Sequence, residues 1–250
     1  MRITVLALGA AAALFATTTA TAAKAGIHPQ RLAGPTNSTS SNWSGYDVTG
    51  GPFTSVSASW IQPAVTCATG ETSFSSFWVG LDGDTSSTVE QIGTDSDCIN
   101  GTPTYYAWYE LYPKGSGQLM SLTAGATIDA SVTTDGNGNF TLTITVNQGT
   151  PTTVTGKVKH ASLASAEVIA EAPSSNHGPN GELGLADFGA VSFTGATVNN
   201  TPLDSQADQI TMVQGGTTLA QPSTISGGNF SIDWKAATGP PSHGHGHGQG

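Results

Sequence analysis

Apolar and polar residues alternate with period two along most of this chain. Val56, Ala58 and Trp60 interleave with Ser55, Ser57 and Ser59, and Phe140, Leu142, Ile144 and Val146 interleave with threonines. Ile128, Ala130 and Val132 lead into that second run through Asp135-Gly136-Asn137-Gly138, a turn-rich linker suited to a hairpin. Val154 with Val158, Ala166 to Ala170, Phe188 to Phe193, Ile210 to Val213, and Phe230-Ile232-Trp234 read as further strands. Period two gives each strand one apolar face, and helical periodicity is nearly absent beyond the N-terminus. Many antiparallel strands with one face to bury predict an all-β sandwich of two sheets. The absence of an internal repeat argues against a propeller.

The two ends depart from this pattern. Arg2 precedes an apolar run, ITVLALGAAAALFA, and small residues follow at Ala20-Thr21-Ala22. Residues 1–23 therefore read as a secretory signal peptide, too short for a comfortable membrane span. Residues 24–40 are polar, rich in Pro, Ser and Thr, and read as a propeptide or flexible leader. The β pattern occupies 41–238, about 200 residues, enough for one well-filled domain. Residues 239–250 alternate His243, His245 and His247 with glycine and read as a disordered tail.

Charge narrows the partners. All 17 acidic residues lie beyond residue 40, where the basic residues are Lys114, Lys157, Lys159 and Lys235 with no arginine. A surface of that sign does not bind nucleic acid or anionic membranes non-specifically. It also implies acid tolerance, because few positive charges remain to repel once the carboxylates are protonated. The leader has the opposite sign, with Lys24, His28, Arg31 and no acid, and would be drawn to an acidic groove. Cys67 and Cys98 suit an exported chain as one disulfide.

Candidate chemistry concentrates in Phe77–Pro113, where the aromatic runs FWVGL and TYYAWYELY flank a segment rich in Gly, Asp and Ser. Alternation places Tyr106, Trp108 and Glu110 on one face of the second run. The chain lacks HExxH, a closed Cys/His metal cluster, a G-x-S-x-G elbow and the D-T-G/D-S-G pair of aspartic proteases. Carboxylates and side-chain amides are left, with no metal or cofactor implied.

The run WVGLDGDTSSTVEQIGTDSDC followed by YYAWYELYP resembles the glutamic peptidases (eqolisins), which carry W-V-G-I-D-G, an L-Q-x-G segment and A-W-Y-E-x-x-P. A further motif of that family, A-E-x-I-x-E, is matched by Ala166-Glu167-Val168-Ile169-Ala170-Glu171. The resemblance spans about Asn42 to Trp234. It implies two large curved antiparallel sheets of the concanavalin-like kind, with polypeptide substrates lying across a concave face. Carried over by motif, the catalytic pair is Gln91 and Glu167, the glutamate acting on water and the glutamine stabilising the oxyanion. Trp78, Asp82, Asp95, Tyr106, Trp108, Glu110 and Glu171 are then expected to line the groove. Alternation leaves Glu90 facing away from Gln91. Val168 and Ile92 differ from the family's usual residues after the glutamate and glutamine, which bears on substrate preference. The expectation is a secreted, monomeric, pepstatin-insensitive acid endopeptidase. A lectin-like sandwich binding sugar through the same aromatics and acids is the alternative from another class.

Overall fold

The computed structural model describes residues 37–84, 86–174, 183–204 and 207–237. The signal, most of the leader and the histidine tail lie outside the described residues. The described chain is all-β. Strands β1 (Ser38–Ser40), β2 (Trp43–Thr49) and β3 (Ser55–Ile61) come first. β4 (Ser76–Asp82), β5 (Val89–Ile99), β6 (Thr102–Tyr112) and β7 (Gly115–Ser121) form a meander. β8 (Thr127–Thr134) and β9 (Asn139–Val146) make the expected hairpin, followed by β10 (Thr152–Lys157) and β11 (Ser165–Glu171). β12 (Ala190–Val198), β13 (Thr201–Pro202), β14 (Asp208–Gln214), β15 (Thr217–Pro222) and β16 (Phe230–Trp234) complete the fold.

The two expected sheets are two layers of one continuous ladder. Its order is β10-β9-β8-β3-β12-β16-β15-β14-β2-β11-β4-β5-β6-β7, with β1 and β13 added at β14 and β12. All pairings are antiparallel except β1 with β14. Register shifts at Thr194/Thr197 in β12 and Met212/Val213 in β14 mark bulges near the turn between the layers. Bulges bend a strand and add twist, which lets the ladder fold over on itself. β4 and β5 then lie over β3, β8 and β9.

Alternation decides what goes between the layers. Phe77, Val79 and Leu81 of β4 and Ile92 of β5 point inward, where they meet Trp60, Ile128, Val132, Phe140, Leu142 and Ile144. The Trp60 indole N–H reaches across and donates to Thr94 Oγ1 (3.0 Å), satisfying a hydroxyl that the alternation sends into the core. The opposite face of β4, β5 and β6 carries a separate aromatic cluster of Trp43, Trp78, Tyr106, Trp108, Ile169 and Ile210. Asn100 and Gly101 both adopt left-handed φ (52° and 79°), as a two-residue hairpin turn of the primed type requires. That turn fixes the β5–β6 register and sets Gln91 opposite Glu110. Cys67 and Cys98 form the disulfide expected from sequence, tying the loop before β4 to the end of β5.

Glu90 is the exception in the core. It lies between Leu81 and Leu111, both inward-facing, and is fully buried. Burial is the main force pushing its pKa from 4.5 to about 9; the Asp82 charge adds to it and the Thr88 hydroxyl offsets part of it. Below about pH 4.5 folded and unfolded chains both hold this proton and stability is full. As pH rises toward about 9 the unfolded chain ionises while the folded one does not, so stability falls. Glu90→Gln, neutral throughout, is expected to gain about 3 kcal/mol relative to the parent between pH 4 and pH 7. Denaturant melts at the two pH values measure this; an equal pH dependence in both proteins would refute it.

Candidate active site

Cross-strand register brings the chemistry together. One row runs perpendicular to the strands through Asp208 (β14), Asp47 (β2), Glu167 (β11), Gly80 (β4), Gln91 (β5) and Glu110 (β6). All of these except Gly80 project on the face opposite the inter-layer core, since their chain neighbours Tyr46, Val48, Ala166, Val168, Ile92 and Leu111 face that core. Gly80 separates Glu167 from Gln91 and, having no side chain, leaves a gap between carboxyl and amide. A Cβ there would stand 2.9 Å from Trp78 Cζ3 and 3.2 Å from Gln91 Cβ.

Gln91 donates from Nε2 to Glu110 Oε2 (2.8 Å). A carboxylate only accepts, so this bond orients the amide and leaves its second N–H available. Glu167 is fully buried, and neither of its oxygens has a close hydrogen-bond partner. Burial pushes its pKa well above the usual carboxylate range. The Ser165 hydroxyl pulls the other way, and Asp47, Asp82 and Asp84 push it up further. None of the strands from β14 across to β6 contains a Lys, Arg or His that could relieve this.

The next rows hold the aromatic floor. Asp95 accepts from the Tyr106 hydroxyl and the Trp108 indole, both at 2.6 Å. Glu171 accepts from the Trp78 indole at 2.8 Å and from Asn42 Nδ2 at 3.2 Å. Trp43 packs edge-on against Trp78, with centroids 5.0 Å apart. Asp97 shares the Tyr106 hydroxyl at 3.2 Å; burial, then the Asp95 charge, drives its pKa up. The indoles of Trp78 and Trp108 are thus each aimed by a carboxylate. The side chains beside Glu167 and Gln91 are therefore largely aromatic and, like the pair itself, buried.

Comparison with known proteins supplies the family. A sequence profile described as Peptidase A4 family matches residues 41–234. The chain belongs to that family. Aspergillopepsin-2 of Aspergillus niger is 30% identical over 233 residues, covering 82% of this chain and 81% of that protein. Scytalidopepsin B of Scytalidium lignicola is 39% identical over 107 residues, covering 41% of this chain and 39% of that protein. Scytalido-glutamic peptidase, solved with a peptide-based transition state analog, superposes with a TM-score of 0.67 at 26% identity, covering 78% of this chain and 98% of that one. Aspergilloglutamic peptidase of Aspergillus niger gives a TM-score of 0.56 at 28% identity, covering 65% and 99%. As a member of the A4 family the protein is a peptide hydrolase of the glutamic peptidase type.

Of the residues expected from sequence, Gln91, Glu167 and Glu110 share the central row, while Trp78, Asp95, Tyr106, Trp108 and Glu171 build the floor beside it. Asp82 is the correction. Its φ of 62° ends the extended run, and its carboxylate turns to the backbone N–H groups of Leu163 and Ala164, both at 2.9 Å. It therefore anchors the loop that delivers Glu167 and does not line the groove. Glu90 faces the core, as alternation requires. Asp47 was missed, although its spacing from Trp43 and Gly45 already placed it on their face. Gly80→Ala is expected to fold normally but lose roughly 10- to 100-fold in kcat, as its methyl displaces Trp78 and narrows the gap. Steady-state kinetics beside a thermal melt would check it, and unchanged kcat would refute the role of the gap.

Proposed function

We propose that the protein is an exported acid endopeptidase in which Glu167 and Gln91 perform the hydrolysis. The observation behind this reading is the placement of one carboxyl and one side-chain amide on either side of Gly80. With a scissile carbonyl over the gap, ionised Glu167 removes a proton from water as the water oxygen attacks the carbonyl carbon. The free N–H of Gln91, aimed by Glu110, donates to the carbonyl oxygen as negative charge develops there. Protonated Glu167 then passes its proton to the leaving amine as the C–N bond breaks, which restores the carboxylate. The aromatic floor would hold an extended substrate by stacking and backbone contacts. The signal-like N-terminus and the disulfide support export, and the basic leader reads as a segment removed on maturation.

The test is proteolysis of a denatured protein at acid pH with a pepstatin-type inhibitor present. Gln91→Ala is expected to lower kcat by roughly 10²–10³, and Glu167→Gln by at least as much. The double variant should be hardly worse than either alone, because the two act on one transition state. Full activity in either single variant would overturn the assignment. Retention on polysaccharide with no cleavage by the parent would favour the sugar-binding reading.

A further inference from the structure

Glu90 is a buried acid that the hydrolysis does not use, and it stands where the L-Q-x-G segment of the glutamic peptidases carries leucine. It points into the inter-layer core between Leu81 of β4 and Leu111 of β6. Gly156 of β10 closes over Leu111 so tightly that a Cβ there would stand 2.3 Å from Leu111 Cδ1. Neither Glu90 oxygen has a close hydrogen-bond partner. The Thr88 hydroxyl beside it donates to Asp82 Oδ2 at 3.3 Å. The same Asp82 carboxylate accepts the N–H groups of Leu163 and Ala164, both at 2.9 Å, and so holds the loop that enters β11 just before Glu167. We propose that Glu90 is a pH-sensitive switch on that loop: protonated, it packs as leucine would and leaves Asp82 to hold the loop, and ionised, it repels Asp82 and releases the loop into β11.

The closed form keeps the Glu90 proton up to about pH 9, whereas an opened form, with the carboxyl in water, gives it up from about 4.5. Between these values each pH unit favours the opened form by about tenfold. Asp82 is where the core gives way, because its charge acts directly on Glu90 and two backbone N–H groups depend on it. Among the described residues no cation offsets that repulsion. Leu111 and Tyr109 of β6 face the same core, and Asp84, beyond Asp82, acts on Glu167. Lys114 after β6, and Lys157, Lys159 and His160 at the end of β10, are exposed. Release of the loop loosens the end of β11 beside Glu167. The effect on activity therefore rests on the Glu167–Gln91 reading, while the opening of the loop does not.

Amide hydrogen exchange at Leu163 and Ala164, corrected for its intrinsic pH dependence, tests the switch at pH 5 and pH 7. Glu167 would shed a proton of its own on opening, so the comparison is made in Glu167→Gln, with and without Glu90→Gln. Exchange should speed by about 30-fold or more between the two pH values with Glu90 present, and by less than about threefold with Glu90→Gln. At pH 7 the loop amides should exchange at least about tenfold faster than the slowest amides of β8 and β9, which marks release short of unfolding. Equal acceleration with and without Glu90, or equal rates in the loop and in β8 and β9, would overturn the switch. In the active protein Glu90→Gln should keep acid-pH kcat/KM within about threefold and move its alkaline limb up by about half a pH unit or more. An unmoved limb would overturn the link to catalysis. A parent without peptidase activity would remove the Glu167–Gln91 reading and leave the exchange result to decide the switch. If Glu90→Gln fails to fold, Glu90→Leu carries the same comparisons.

Discussion

Burying a carboxyl group in strands that carry no cation of their own is costly, and this constraint governs the structure. The strands from β14 to β6 hold Asp208, Asp47, Glu167, Glu171, Asp82, Glu90, Asp95, Asp97 and Glu110 with no Lys, Arg or His among them. An isolated buried carboxylate is too costly to persist, so a buried group accepts N–H and O–H bonds where donors are at hand and is driven toward its protonated form where they are not. The fold uses both solutions, on different residues.

Where donors are supplied, the carboxylate becomes a tool for positioning. Asp95 and Glu171 fix the indoles of Trp108 and Trp78, Glu110 fixes the Gln91 amide, and Asp82 fixes the loop entering β11. Charge-assisted bonds of this kind are short and directional, which suits a site that must hold its geometry to fractions of an ångström. Where close donors are absent, at Glu90 and Glu167, burial raises the pKa and a retained proton takes the place of a partner.

Much of this was legible in the sequence, because β structure has a simple period. Alternation alone put Tyr106, Trp108 and Glu110 on one face and sent Glu90 away from Gln91. What it could not supply was register. The row linking Asp47, Glu167, Gly80 and Gln91 joins residues more than a hundred positions apart, and which residue falls opposite which depends on turns and bulges. The Asn100-Gly101 turn was a local signal that could have fixed the β5–β6 pairing. No such signal exists for β2 against β11, whose pairing is settled only by the assembly of the whole sheet. Asp82 was misplaced for a related reason: alternation holds only while the backbone stays extended, and at φ 62° it does not. The single ladder also escaped the pattern, since layers are visible in the apolar spacing but their connection through bulges is not.

The same constraint connects stability to chemistry. A fold that keeps protons on buried acids is most stable where water readily provides them, which is the acidic range. The hydrolysis proposed for Glu167 and Gln91 draws on the same buried carboxyl chemistry. Cations placed among these strands would relieve the buried charge and raise stability at neutral pH. They would also lower the pKa of Glu167 and, on the mechanism proposed above, weaken it as a base toward water. On that mechanism the absence of Lys, Arg and His from these strands serves the reaction at the expense of alkaline stability. Glu90 shows that the chain tolerates that loss even where no chemistry requires it.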